Sequence, residues 1–72
     1  MHPAVEAGLE YWRAIESNPN KWARISIDQS RDEVQVTVGY YNYRGEKQRE
    51  IVSYKFYVDD EGIVHTVTYP HS

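Results

Sequence analysis

Three histidines, His2, His65 and His71, are the side chains of this sequence best suited to chemistry near neutral pH. A histidine that acts as a general base needs an orienting partner and a surrounding cleft. His2 and His71 lie at the two ends of the sequence, where disorder is common. His65 has inward side-chain parity on a predicted strand, which would place it beside Phe56. We therefore expect these histidines to form no catalytic site and no metal site.

The consecutive acids Asp59, Asp60 and Glu61 form the densest cluster of carboxylates. A calcium loop of the EF-hand type needs ligands at alternating positions over about twelve residues, whereas here a strand pattern follows at once. The sequence also contains no phosphate-binding glycine loop, HExxH or GxSxG motif. We therefore predict a solvated turn over residues 59–62, a protein that is not an enzyme, and no cofactor.

Six of the seven tyrosines lie on predicted strands, and they separate into two groups by the two-residue period of β-strands. The group with the inward parity of the core, expected at its rim with hydroxyls in water, comprises Tyr40, Tyr54 and Tyr69. The outward parity is shared by the other strand tyrosines and several basic residues. The predicted partner-binding residues on this outward face are Tyr41, Tyr43, Arg49, Lys55 and Tyr57.

Exposed tyrosine beside arginine is enriched at protein interfaces and their energetic hot spots. This pattern predicts a small binding protein, of inhibitor or adaptor type, that docks on a protein partner through the outward face or the long hairpin. A homodimer through the same face would use the same side chains. The alternative without a partner is a solvated face whose Tyr, Thr and Ile residues reflect strand propensity alone.

Two further alternatives involve no protein partner. Single-stranded nucleic acid could stack its bases on the same rings, and residues 40–57 contain four basic side chains against two acids. The chain as a whole, however, carries a net charge of −3, which opposes attraction to phosphates. The other alternative is an engineered or designed scaffold without biochemical function, although Gly8 within a predicted helix is untypical of idealised designs.

A single amphipathic helix is predicted for residues 3–17. Pro3 suits the first helical position, apolar residues then recur with the 3.6-residue period, and Pro19 cannot continue the helix. Gly8 lies on the apolar stripe, where we expect it to permit a close approach of helix and sheet, under a large ring.

The remaining sequence alternates apolar and polar residues in four predicted strands, at about residues 22–28, 33–43, 48–58 and 63–69. These elements predict an α+β fold in which the N-terminal helix packs on a four-stranded antiparallel sheet, in the order α-β-β-β-β. At 72 residues and without cysteine, the chain has room for one domain, residues 1–72, and no disulfides.

Side-chain parity predicts the register of the two later hairpins. The second and third strands both have apolar residues at even positions, which requires an odd-length loop around Gly45. The fourth strand has them at odd positions, which requires a four-residue loop over residues 59–62. We therefore expect Val58 opposite Ile63 and Phe56 opposite His65.

The sequence shows neither a membrane-spanning segment nor a secretory signal, and both bear on where in the cell we expect the protein. No apolar run approaches the roughly 20 residues needed to cross a bilayer. No basic start is followed by an apolar stretch, so no secretory signal is predicted. We accordingly expect a cytoplasmic protein without membrane contact.

The helix followed by four antiparallel strands resembles the cystatin arrangement without its first strand. The Q-x-V-x-G motif of that family is partly matched by residues 35–39, where Gln35 and Gly39 are in place but Thr37 occupies the middle position. No Pro-Trp second loop follows. The resemblance implies a topology, and it carries no inhibitory residues to this chain.

Overall fold

The computed structural model describes residues 2–71 and confirms the α+β fold. Its elements are α1 (Pro3–Glu16), β1 (Lys21–Asp28), β2 (Glu33–Tyr41), β3 (Lys47–Val58) and β4 (Val64–Pro70). The sheet is antiparallel with strand order β1-β2-β3-β4, so β1 and β4 form its edges. Within residues 2–71 no helix is both long and apolar enough to cross a membrane.

The start of α1 is capped by a histidine. Pro3 occupies the first turn, where a missing N–H costs no helical hydrogen bond. The Ala4 N–H donates to Nδ1 of His2 at 3.2 Å, and the other ring nitrogen of His2 is 3.7 Å from the Asp32 carboxylate. His2 is therefore an ordered cap, and the expectation of disorder there is wrong because the helix start offers its ring a donor.

The core lies between α1 and one face of the sheet. Its buried apolar residues are Ala4, Val34, Val36, Val38 and Phe56. Gly8 packs directly on Val34, since a Cβ atom at position 8 would overlap that side chain. The close approach predicted for Gly8 is confirmed, with valine rather than a large ring as the neighbour. Tyr54 meets Tyr11 edge to face at 4.9 Å between ring centroids, as its inward parity predicted.

The predicted register of β2 and β3 is confirmed over the core. Val34 pairs with Phe56 and Val36 pairs with Tyr54, so the even positions of both strands face α1. The pairing then shifts beyond Val38, where Gly39 pairs with Glu50. This bulge in β3 decides which side chains reach the face opposite α1.

The predicted register of β3 and β4 is wrong by one residue. Val58 pairs with Val64 instead of Ile63, and Phe56 pairs with Thr66 instead of His65. The cause is Gly62, whose φ of +80° places a left-handed residue at the end of the turn. Such a turn adds one residue to the loop compared with the four-residue loop expected.

The shift by one residue reverses every side chain of β4. His65, Val67 and Tyr69 pair with Tyr57, Lys55 and Ser53, and so they lie on the face opposite α1. The expectations that His65 packs beside Phe56 and that Tyr69 lies at the core rim are therefore wrong. Val64, whose even position gave it outward parity on the predicted fourth strand, pairs with Val58 and lies on the α1 side instead.

Both later hairpins use the same turn. The Asn42 side chain accepts the N–H groups of residues 44 and 46, each at 2.9 Å. The Asp59 side chain accepts those of residues 61 and 63, at 2.9 and 3.0 Å. Gly45 and Gly62 follow at the same spacing, both with positive φ. An Asn or Asp with Gly three residues later therefore marks each of these loops.

Candidate functional site

The helix-free face of the sheet, opposite α1, has a small buried layer of its own. Trp22 pairs with Gly39 across β1 and β2 and is only 5% exposed. Its indole covers the glycine so closely that a Cβ atom at position 39 would overlap the ring. The Trp22 Nε1–H donates to the Gln48 carbonyl at 2.9 Å. The ring is thus fixed in position without any second layer of secondary structure.

A concave site of about 340 Å³ opens beside this ring. The residues of this Trp22 site are Trp22, Arg24, Lys47, Arg49, Glu50 and His71. β1 supplies the floor, β3 supplies the cationic rim, and the residue that follows β4 closes one side. The bulge in β3 brings Glu50 opposite Gly39, whereas strict alternation would have turned Glu50 toward α1.

Positive charge exceeds negative charge at the Trp22 site. Its one carboxylate, Glu50, is paired with Arg24. The Lys47 Nζ lies 4.2 Å from the Trp22 ring centroid, in cation–π geometry. Arg49 is exposed and makes no ion pair with any residue between 2 and 71. The arrangement can therefore attract a negatively charged group against an aromatic floor.

A hydrogen-bond chain leads from buried Thr37 and Ser53 to His71 at the site. Thr37 Oγ1 lies 3.0 Å from Ser53 Oγ, and Ser53 Oγ lies 2.7 Å from Nε2 of His71. Nδ1 of His71 is 3.9 Å from a Glu50 carboxylate oxygen, which is beyond hydrogen-bond range. His71 is thus held on the sheet, and the expectation of disorder at this residue is wrong.

Serine, histidine and glutamate are also the residue types of a hydrolytic triad. The nucleophile of such a triad must be reachable by substrate, yet Ser53 is only 1% exposed. Its hydroxyl already satisfies buried Thr37. The geometry therefore favours a structural role, in which the chain of contacts fixes His71 at the rim of the Trp22 site.

Two of the predicted partner-binding residues lie near the β2–β3 hairpin. Tyr41 pairs with Lys47, and Tyr43 is 90% exposed within the loop, where its ring lies 5.3 Å from the Arg44 guanidinium. Both tyrosines line a shallow depression next to the connection between α1 and β1. Arg49, the third predicted residue, belongs to the Trp22 site.

The other two predicted residues lie toward the opposite end of the sheet. Lys55 pairs with Gln35, which is six positions from Tyr41 along β2, or about 20 Å at ~3.3 Å per residue. The Lys55 Nζ lies 3.4 Å from the Glu33 carboxylate and 6.0 Å from the Tyr57 ring. The five predicted residues therefore form two separate groups, with Arg49 between them.

Tyr57 belongs to a small polar cluster at that opposite end. Its ring stacks on His65 with a centroid distance of 5.4 Å. His65 in turn contacts the Asp59 carboxylate at 2.7 Å. The hydrogen bond from His65, followed by that from the Ile63 N–H, holds the pKa of Asp59 below its usual value. The cluster ties the β3–β4 turn to the helix-free face.

Sequence reasoning missed three contributors to the Trp22 site and its support: Glu50, Ser53 and His71. Strict alternation along β3 would place the even-numbered Glu50 on the α1 side, and only the bulge brings it to the helix-free face. His71 lies on that face because it follows β4 directly. The His71 N–H donates to the Ile51 carbonyl at 2.9 Å. The Asn42 and Asp59 turn pattern would have given the register of β4, and with it the face of His71.

Within residues 2–71, no three His, Asp or Glu side chains cluster closely enough to hold a metal ion. The segment that resembles the cystatin motif, residues 35–39, lies inside β2. Comparison with known proteins gave no match to a family model, to a curated protein or to a solved structure.

Proposed function

We propose that this protein is a non-catalytic binding protein, of inhibitor or adaptor type, that docks on an acidic segment of a partner protein through the Trp22 site. The observation that carries the proposal is the local excess of positive charge around Trp22 in a chain whose net charge is −3. Charge complementarity of this kind steers association and selects partners.

The positive charge available to a partner comes from Lys47 and Arg49. Arg24 is neutralised by Glu50, whereas Lys47 packs on an aromatic ring and Arg49 extends into solvent. The exposed surface of α1 carries the acids Glu6, Glu10 and Glu16. The two sides of the molecule therefore differ in sign, and an acidic partner would approach the helix-free face.

Exposed aromatic side chains extend the binding surface beyond the Trp22 site. Tyr41 lies beside the cationic rim, and Tyr43 projects from the hairpin tip. Tyr69 is also exposed on the helix-free face, beside Ser53. Tyrosine and arginine are enriched among the hot-spot residues of protein interfaces, so this set favours a protein partner.

Base stacking is disfavoured at two aromatic rings of the helix-free face, those of Trp22 and Tyr57. The Trp22 ring is buried beneath Lys47, and the Tyr57 ring is already stacked on His65. Single-stranded nucleic-acid sites need aromatic faces open to the bases. An acidic peptide needs the cationic rim alone, which is open.

The test uses the fluorescence of Trp22 in a Trp12→Phe background, so that one indole reports on the site. A short peptide rich in Glu and Asp is titrated into the full chain. We expect saturable binding that changes Trp22 emission and weakens with added salt. Arg49→Glu should weaken this binding by at least about tenfold, because it reverses the charge of the unpaired cation.

The matched control is Arg13→Glu, which makes the same charge change on the exposed surface of α1. It should leave peptide affinity unchanged within about twofold. Arg13 lies on the opposite side of the sheet from the Trp22 site, and salt screens the interaction of its charge with a peptide bound there. Equal losses in both variants would show a net-charge effect and contradict the proposal. Tighter binding of oligo-dT than of the acidic peptide would support the nucleic-acid alternative instead.

A further inference from the structure

The β4 edge of the sheet lies outside the core. Every residue of β4 is exposed except half-buried Val67, and the neighbouring Ile63 is 55% exposed. The core under α1 is built from β1, β2 and β3, with no residue of β4 in it. An exposed edge strand presents unpaired backbone groups to any strand that can reach it.

The two edges of the sheet differ in charge. β1 carries Lys21, Arg24 and Asp28, and charged side chains of this kind discourage strand addition. β4, with the sequence VHTVTYP, has no Lys, Arg, Asp or Glu. Two β4 strands can therefore approach each other without like-charge repulsion.

The hydrogen bonds around β4 show which backbone groups point outward. The His71 N–H donates to the Ile51 carbonyl, and the Ile63 carbonyl accepts from the Asp59 N–H. Odd residues of this segment therefore direct their backbone groups toward β3, and even residues direct theirs to the open edge. The outward N–H donors are those of Val64, Thr66 and Thr68, because Pro70 has none.

We infer that β4 pairs antiparallel with β4 of a second copy of this chain, about a two-fold axis at Val67. A two-fold axis perpendicular to the sheet keeps corresponding side chains on the same face, so the paired numbers must sum to an even value. Residues whose backbone groups point to the open edge must also face each other, so that the two strands can form hydrogen bonds. The register centred on Val67 meets both conditions and overlaps the whole of Val64–Pro70.

The side chains opposed in this register match chemically. Thr66 faces the partner's Thr68 on the α1 side, in a hydrogen-bonded pair of a type that stabilises antiparallel sheets. On the helix-free face His65 lies opposite the partner's Tyr69, and the two Val67 side chains meet at the axis. The Pro70 ring, which lacks an N–H, falls at the end of the ladder.

The resulting dimer has a continuous sheet with four strands from each copy. Both α1 helices lie on one side of it, and both Trp22 sites lie on the other. Dimerisation would present two cationic sites to one partner, which raises apparent affinity for a repeated acidic ligand. The self-association itself does not depend on what the Trp22 site binds.

Sedimentation velocity of the full chain over a concentration series tests the inference. We expect a monomer–dimer equilibrium that Val67→Lys and Thr68→Pro each weaken by at least about tenfold, through like charges at the axis or loss of an outward donor. The matched control Ser26→Lys adds the same charge at the β1 edge and should leave the equilibrium unchanged. Arg49→Glu should also leave it unchanged, which separates this interface from the Trp22 site.

Amide hydrogen exchange of the unmodified chain provides a readout that no folding defect can imitate. The N–H groups of Thr66 and Thr68 should become protected as concentration rises, while protection of the Val67 N–H depends little on concentration. A monomer at all concentrations up to about 1 mM would overturn the inference. A dimer that withstands both β4 substitutions, or assembly beyond the dimer, would overturn it equally.

Discussion

The indole of Trp22 covers the bare backbone of Gly39, its cross-strand neighbour, and this contact builds the floor of the helix-free face. Gly39 is needed there because any Cβ atom would occupy the space of the ring. The bulge in β3 begins at the same point, with Glu50 opposite the glycine. Gly39 therefore permits the burial of Trp22, and it lies opposite the acid that pairs with Arg24.

Gly39→Ala should displace Trp22 and destabilise the protein by about 1–3 kcal/mol, the usual range for overpacking a tight contact. Urea unfolding followed by far-UV circular dichroism measures this loss. The matched comparison introduces the same alanine in a Trp22→Leu background, where the added cost should shrink because the large ring is gone. An equal cost in both backgrounds would show that Trp22 is not the obstacle.

Local periodicity accounts for most of the fold and for part of the site. Alternation of apolar and polar residues predicted the four strands. Parity predicted the β2–β3 register because each of those strands has one apolar face and one more polar face. The same reasoning placed Arg49 on the helix-free face, where it lines the Trp22 site.

The errors arise where one residue interrupts that alternation. The left-handed Gly62 moved β4 by one position and carried His65 and Tyr69 to the other face. The bulge near Gly39 turned Glu50 outward. Such interruptions depend on backbone conformation and on pairing with another strand, and neither is visible in the hydrophobic period. The contact of His71 with Ser53 depends on the register of β3 and β4, so the hydrophobic period could not predict it either.

Gly8 presents a second close contact, between α1 and β2, whose effect on stability has a predictable sign. Helix propensity alone would make Gly8→Ala stabilising by about 1 kcal/mol. The overlap of the added Cβ with Val34 should reverse this, so that the variant loses about 1 kcal/mol or more in urea unfolding. In a Val34→Ala background the same substitution should become stabilising. A gain in stability from Gly8→Ala in the natural background would contradict the close packing.

The Thr37–Ser53 pair allows the cost of a buried hydroxyl to be measured. Ser53→Ala leaves the Thr37 hydroxyl buried without this partner, and should cost about 1–3 kcal/mol. Replacing both, as Thr37→Val with Ser53→Ala, should recover the part of the loss that comes from the unpaired Thr37 hydroxyl, since the other partner of Ser53, His71, is exposed to water. Denaturant titrations of the two variants and of the unsubstituted chain give the comparison. A double variant less stable than Ser53→Ala alone would show that the hydroxyls contribute beyond their mutual contact.

The Asp59 turn should make the free energy of unfolding depend on pH in the acid range. Because the folded-state pKa of Asp59 is lowered, chiefly by its hydrogen bond with His65, its contribution is present above the unfolded pKa of 3.8. That contribution is lost as pH falls through the lower folded pKa. Asp59→Asn preserves the turn, since Asn42 makes the equivalent backbone contacts in the other hairpin, yet it removes the titrating group.

Urea unfolding between about pH 6 and about pH 2 should therefore show a shallower loss of stability in Asp59→Asn than in the natural chain. Some decline should remain, because Asp28, hydrogen-bonded to Ser30, also has a lowered pKa. The combined Asp28→Asn and Asp59→Asn variant should show the shallowest decline of the three proteins. Parallel pH profiles for the natural chain and Asp59→Asn would contradict the link between Asp59 and His65, because a carboxylate bound in the fold must resist protonation.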